Sequence, residues 1–313
     1  MSDTQVLPEK ARIAIIGGGI IGTSVAYHLA KRGIKDVILI ERKQLTSGTT
    51  WHAAGLVSLS WPTPTLTNLA KYSHELYASL EEETGQATGY KQIGSISLAR
   101  TEARLEEIKR TSSMAKVFGV ESEMIDNTRL AELYPGINTD GVLGALYTPD
   151  DGQTNPIDTT MALAKGARMN GVEIFENTVM EELLTKDNVI TGIRTDKGKV
   201  EVDQVILCGG MWTRDLAKTV GVQLPIYTCE HSYIVTEEME GLSQRPVLRD
   251  YDRGLYYKED AGKMLIGWFE DNAKGMSMDN ITDDFCFGQF PCDQDHVEPY
   301  VMNSMDTFPQ LET

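Results

Sequence analysis

Gly17, Gly19 and Gly22 are spaced G-x-G-x-x-G, and an acid, Glu41, stands roughly 20 residues beyond them. Backbone N–H groups beside such glycines can lie against a pyrophosphate, and a carboxylate at that separation can accept hydrogen bonds from a ribose. The set suits the phosphates and adenosine end of a dinucleotide, and Arg42, next to Glu41, is grouped with it as a cofactor contact. An acid there favours a free ribose hydroxyl, so NAD or FAD over NADP. A run of small residues, Ser47, Gly48, Thr49 and Thr50, then leads into Trp51 and His52. A flavin is long, and small residues suit a chain running beside its pyrophosphate and ribityl portions. His52, 11 positions after Glu41, could reach the isoalloxazine end. An imidazole there can hydrogen-bond the flavin, or a ring nitrogen can attach to the 8α-methyl carbon. A capping or packing histidine is the other reading that spacing allows.

These residues need a strand, a helix and a second strand to hold them. Residues 12–16 carry three isoleucines in an apolar run short enough for one buried strand. Ile21, Val25 and Leu29 recur with helical spacing between Ile20 and Lys31, and Gly33 marks the stop. Val37 to Ile40 make a second buried strand that ends in Glu41. The first glycine permits the tight turn, the second lets backbone approach the pyrophosphate, and the third lets helix pack on strand. The helix N-terminus offers unpaired N–H groups and partial positive charge to the phosphates. Farther along, Leu66 to Leu80 reads as an amphipathic helix with Leu66, Leu69, Leu76 and Leu80 on its apolar positions. Residues 94–100 alternate like a strand, 102–118 form a charged helix, and a further helix spans about 158–170. Val205 to Cys208 is a buried strand ending at Gly209 and Gly210, and short alternating runs follow from about 223.

The segment "SGTTWHAAGL" resembles the flavin-attachment segment of the dimethylglycine dehydrogenase and sarcosine dehydrogenase family, within the glycine-oxidase and D-amino-acid-oxidase class. The likeness continues in "YTPDDGQTNPIDTTMALAKGARMNGVEIFENTVM", "VILCGGMWTRDLAKTVG" and "VLRDYDRGLYYKEDAGKMLIGWFE", so it spans nearly the whole chain. It implies an α/β fold: an FAD-binding doubly wound, Rossmann-like domain with a discontinuous antiparallel-sheet substrate domain. Residues 8–90 and 148–222 are the expected FAD-binding parts, and 91–147 and 223–313 the substrate-domain parts. The resemblance also implies that His52 carries covalent FAD, that the backbone of Val179 lies beside the adenine, and that Gly209 and Gly210 make a distal FAD contact. It favours His231 and Tyr256 as residues of the amine site. The residues alone place His231 and Tyr233 on one face of a strand and Tyr256 and Tyr257 on opposite faces. They leave open a core histidine and a half-buried strand aromatic. Arg249 and Arg253 lie near the right strand, and neither is assigned to a substrate carboxylate.

The implied chemistry is oxidation of an N-methylated glycine-type amine of the dimethylglycine or sarcosine class. The ammonium loses its proton, helped by His231, and a hydride equivalent leaves the methyl carbon for flavin N5. The resulting iminium hydrolyses to formaldehyde, or is captured by tetrahydrofolate where a folate region exists. Oxygen or an electron-transfer flavoprotein would take the electrons.

The formal charge of −17 argues against nucleic acid and anionic membrane surfaces as partners. Cys208, Cys229, Cys286 and Cys292 are scattered without metal-ligand spacing, so neither a metal site nor a disulfide framework is expected. "MSDTQVLPEKAR" lacks the apolar stretch of a secretory signal, and no run is long enough to span a bilayer, which favours a cytoplasmic protein. Family members continue far beyond "FPQLET", so a C-terminal truncation of the flavoprotein unit is expected. Two other classes compete. One is a non-catalytic relative resembling the regulatory subunit of pyruvate dehydrogenase phosphatase. The other, an NAD-dependent dehydrogenase, gives the second glycine turn and the Trp-His segment no role.

Overall fold

The computed structural model describes residues 6–312; Thr313 and the first five residues of the N-terminal stretch read above for a signal lie outside the described residues. The first strand, β1 (Lys10–Ile16), leads through the glycines into α1 (Ile20–Lys31) and then β2 (Val37–Ile40). β1 pairs in parallel with β2 and with Gly198–Leu207, and β2 pairs in parallel with Glu173–Phe175. An antiparallel run, Met180–Lys186 to Val189–Thr195 to Gly198–Leu207, completes six strands. Strand alternation splits the burial. Ile13, Ile15 and Leu39 pack under α1 and the helix Pro156–Met169, while Ala14, Ile16, Ile38 and Ile40 pack with Phe175, Met180 and Leu183.

The buried face of α1 differs from the expected stripe. Ile21 is 63% exposed, and Gly22, Thr23, Ala26, Tyr27 and Ala30 face inward instead, with Val25 and Leu29 only partly buried. A Cβ on Gly22 would stand 1.8 Å from the Gly17 carbonyl oxygen, so this glycine must face the strand–helix turn, and that contact sets the rotation of the helix. The leucine helix is Pro64–Thr84 with Thr63 as its cap, but only Leu80 of its leading leucines is fully buried, whereas Leu66 and Leu69 are exposed.

A seven-stranded sheet forms the second layer, in the order Tyr233–Glu238, Lys263–Trp268, Leu255–Asp260, Val247–Asp250, Ser95–Ala99, Gly144–Thr148 and Glu123–Ile125. Its strands come from two separated stretches of chain and are antiparallel except where Val247–Asp250 meets Ser95–Ala99. One face is core: Ile96, Leu98, Leu248, Tyr257, Ile266 and Trp268 pack with Tyr134 and Phe308. The stretches are tied by Arg100, whose Nε reaches the fully buried Asp250 carboxylate at 2.7 Å. Among the described residues, no helix is long and apolar enough to cross a membrane, and no group of histidine, cysteine and acids could hold a metal.

Candidate functional site

The glycine turn is closed on three sides. Gly17, at φ +114°, is wedged against Cys208, whose carbonyl oxygen would stand 2.3 Å from a Cβ there, so the two strand ends meet at their glycine turns. Gly18 carries a constraint that spacing did not reveal. Its N–H donates to Glu41 Oε2 at 2.6 Å, and a Cβ would fall 2.5 Å from Leu45. Glu41 is 9% exposed, and its other oxygen accepts from Lys43 N–H at 2.9 Å. Burial pushes the Glu41 carboxyl up, and the Lys43 and Gly18 hydrogen bonds oppose that.

At Gly19 a Cβ would meet only the Thr50 hydroxyl, which accepts the N–H of Ile20 at 3.1 Å. The first turn of α1 has no acidic residue, so its partial positive charge faces outward uncompensated. Thr50 joins this helix end to the small-residue loop. Thr46 N–H reaches Gly18 O at 3.1 Å, Trp51 N–H returns to Thr46 O, and Thr50–His52 wind into a short 3-10 turn. The Trp51 and His52 rings lie against each other, tilted by 41° with centroids 4.1 Å apart. His52 Nε2 donates to Gly288 O at 2.9 Å, and Ser47 O accepts Phe287 N–H at 3.0 Å, so residues 283–288 lie over the loop. Arg42 stacks over Trp212 and donates to Asp283 O, while Gly48 leaves room for the same indole. Trp51 Nε1 is buried without a partner. These features fit a dinucleotide: a turn that excludes Cβ atoms, a helix N-terminus with no acid in its first turn, a buried carboxylate, and an orphaned donor beside His52.

One expected contact is already engaged elsewhere. Val179 N–H donates to Asp196 Oδ1 at 2.8 Å and its carbonyl accepts Asp196 N–H at 3.0 Å, so its N–H is taken and its carbonyl keeps one acceptor position. Gly209 and Gly210 face open or ordinary contacts, and only Gly210, at φ +54°, needs glycine for its conformation.

The non-core face of the seven-stranded sheet carries the other candidates. Tyr233, Gly267, Tyr256 and Arg249 pair across neighbouring strands in one row. Tyr257 points to the opposite side, into the core, as strand alternation requires. The ring of Tyr256 lies over Gly267, where a Cβ would stand 2.1 Å from it. Burial, then Tyr233 and Glu270, push its phenol up to about 12, so it stays protonated at neutral pH. Arg249 is buried and satisfied by Ser58, Ser95 and Asp151. Arg253 is held by Thr307 and Asp306 at the far helix.

His231 is not on the strand with Tyr233. That strand begins at Tyr233, and His231 lies in the preceding connection, 62% exposed. It is held from outside the strand: Nδ1 stands 2.5 Å from Glu270 Oε2, while Glu270 Oε1 meets His296 Nε2 at 2.8 Å. Glu270 and His296 went unnoticed because neither belongs to a local motif. An open cavity of about 470 Å³ runs from Ile20 and Thr50 past Ser58 to Trp61, Leu66 and Leu69. It explains why those leucines are exposed, and Ser58 links it to Arg249.

Residues 12–313 match the DAO family, described as FAD dependent oxidoreductase. The chain is 40% identical over 97% of its length to 4-methylaminobutanoate oxidase (formaldehyde-forming) of Paenarthrobacter nicotinovorans. It is 33% identical over 99% to mouse mitochondrial sarcosine dehydrogenase, and 37% over 98% to the mouse mitochondrial pyruvate dehydrogenase phosphatase regulatory subunit. It spans little more than a third of these curated relatives: 37%, 34% and 35%. Among solved structures, L-proline dehydrogenase from P. horikoshii superposes with a TM-score of 0.87 at 25% identity, covering 98% of this chain and 79% of that one.

Proposed function

The chain belongs to the DAO family of FAD dependent oxidoreductases, and from that premise we propose that it is the cofactor-binding and amine-oxidising part of an enzyme acting on an N-methylated amino acid. The observation that carries this reading is the bond between the glycine cradle and the Trp-His turn. Thr50 Oγ1 holds Ile20 N–H, so the phosphate-facing helix end and His52 form one rigid unit. A nicotinamide site has no task for that unit, whereas a flavin running from the cradle toward His52 uses both ends.

In this reading Gly17, Gly19 and Gly22 admit the pyrophosphate, Glu41 and Arg42 serve the adenosine end, and Ser47 to Thr50 line the ribityl chain. Val179, Gly209 and Gly210 complete the contact, with Val179 exchanging Asp196 for the adenine. Bound FAD supplies a two-electron acceptor for oxidation at the N-methyl carbon. His231 takes the proton of the substrate ammonium and leaves a neutral amine lone pair. Tyr256, protonated at its raised pKa, donates a hydrogen bond that orients the substrate. Water then adds to the substrate iminium, releasing formaldehyde and the demethylated amine. Identity to an N-methyl amino acid oxidase and to sarcosine dehydrogenase supports the substrate class. The electron acceptor in this reading is an electron-transfer flavoprotein or oxygen, and tetrahydrofolate enters only if a further C-terminal region binds it.

The test is anaerobic flavin reduction by dimethylglycine, sarcosine and 4-methylaminobutanoate. Bleaching of the oxidised flavin by at least one is expected, and an unchanged spectrum with all three refutes the reading. His231→Ala should slow reduction most where the amine is protonated and recover partly as pH rises. His52 is proposed to bond covalently to the flavin through a ring nitrogen. Peptide mapping should find a flavin-sized adduct on the Trp51–His52 peptide, and complete release of flavin by acid refutes that bond. Identity to a phosphatase regulatory subunit supports a second reading, an interaction subunit on the same scaffold. Acid-stable yellow colour together with amine-driven bleaching excludes it.

A further inference from the structure

Glu270 stands out from the other acids. Its side chain is 2% exposed, and its two oxygens point at histidines from two different elements. His296 belongs to the helix Gln294–Thr307, and its backbone N–H is fastened by the capping Asp293 carboxylate. Its ring therefore projects from a rigid support. His231 lies on a short connection between strands and has no such anchor. Glu270 itself follows Phe269, whose ring lies 5.1 Å from that of Tyr256 and whose N–H is held by Gly254 O at 2.7 Å. The order in space is helix, His296, Glu270, His231, with Tyr256 alongside.

A carboxylate only accepts hydrogen bonds, so both histidine nitrogens facing it must carry protons. His296 then has its proton on Nε2 and His231 on Nδ1, and in the neutral His231 imidazole the lone pair is on Nε2. Glu270 Oε2 has no well-aligned donor, although His231 Nδ1 stands 2.5 Å away. A buried carboxylate oxygen left unpaired is costly, and rotation of the exposed imidazole ring would align Nδ1–H with it. We propose that Glu270, anchored by His296, is the positioning residue that holds His231 as the Nδ1–H tautomer and presents its Nε2 as proton acceptor. This rests on the reading that His231 meets the substrate amine, and it follows the logic by which a buried carboxylate orients a catalytic imidazole.

The chain has five histidines, so long-range 15N–1H spectra of the histidine-labelled, FAD-loaded protein without amine can assign each ring. His231 should carry its proton on Nδ1 and His296 on Nε2. Glu270→Gln keeps size and shape but offers one acceptor oxygen and one amide donor. It can accept from only one of the two rings, so one histidine should change tautomer or lose its bonded proton signal. Flavin reduction should slow at least about 10-fold, with little change in apparent substrate affinity. Adding Glu270→Gln to His231→Ala should cost little more, since Glu270 acts through His231. An Nε2–H tautomer at His231 in the native protein, or additive losses in the double variant, overturns the proposal. Native-rate reduction by His231→Ala with the expected tautomers instead refutes the amine-site reading and leaves the tautomer assignment standing.

Discussion

Methyl groups added at Gly22 and Gly19 should separate folding from cofactor binding. At Gly22 the new Cβ falls 1.8 Å from Gly17 O, where ordinary contact begins at 3.4 Å, so α1 must retreat by roughly 1.6 Å. The strand–helix turn cannot yield, because Gly17 is itself wedged against Cys208. The helix cannot retreat freely either, since Ala26, Tyr27 and Ala30 are packed in the core beneath it. Overpacking of this kind costs about 1–3 kcal/mol, and the better helix propensity of alanine returns at most about 1 kcal/mol. With the backbone on both sides immovable the cost sits at the upper end, so Gly22→Ala should lose about 2 kcal/mol net. For a chain of this size that lowers Tm by roughly 3 °C. Gly19→Ala meets only the Thr50 hydroxyl at 2.9 Å, which can rotate, and its φ of −79° suits any residue. Its Tm should change little, while its FAD content falls because the methyl and the displaced hydroxyl crowd the phosphate side. Gly19→Val should abolish flavin retention. Thermal unfolding and flavin-to-protein ratios of the purified variants measure both effects. A Gly22→Ala protein that melts with the native one, or a Gly19→Val protein with full flavin, refutes the cradle as described.

Tyr256→Phe should retain its flavin and slow reduction roughly 5-fold, the worth of about 1 kcal/mol of hydrogen bonding. Because the phenol titrates only near 12, the pH profile between neutral and mildly alkaline pH should keep its shape; loss of a limb would refute its orienting role. Asp250→Ala removes the partner of buried Arg100 and should cost about 3–5 kcal/mol in denaturant unfolding, loosening the joint between the two stretches of the seven-stranded sheet. A loss below about 1 kcal/mol would show that Asp252, which accepts the Arg100 backbone N–H at 2.7 Å, secures that joint instead. His74, which bonds Tyr90 at 2.7 Å, has its imidazole depressed by burial. The unfolded chain therefore binds that proton first, so the contribution is present above the ordinary 6.5 and is lost as pH falls from there through the folded value. His74→Gln should flatten this acid limb of Tm against pH, and an unchanged limb refutes the assignment.

The βαβ unit was legible from the chain alone because its determinants are local. An apolar run of strand length, glycines at fixed spacing and an acid at a strand end act within some thirty residues, about one supersecondary unit. The Trp-His segment was legible by its resemblance, and the opposite pointing of Tyr256 and Tyr257 by strand alternation. Apolar spacing marked α1 as a helix but not its inward face: Ile21 is exposed, and the approach of Gly22 to Gly17 turns the helix by backbone crowding. The strand containing His231 was overextended, since "EHSYIVT" alternates as well outside the sheet as within it. Long-range partners left no local trace. Asp196 takes the backbone of Val179, and Arg42 meets Trp212 and Asp283 from far along the chain. Glu270 gathers His231 and His296 in the same way. Each of these is decided by which polar groups the packed layers bring within hydrogen-bond reach, and a one-dimensional pattern records propensity and spacing but not that proximity.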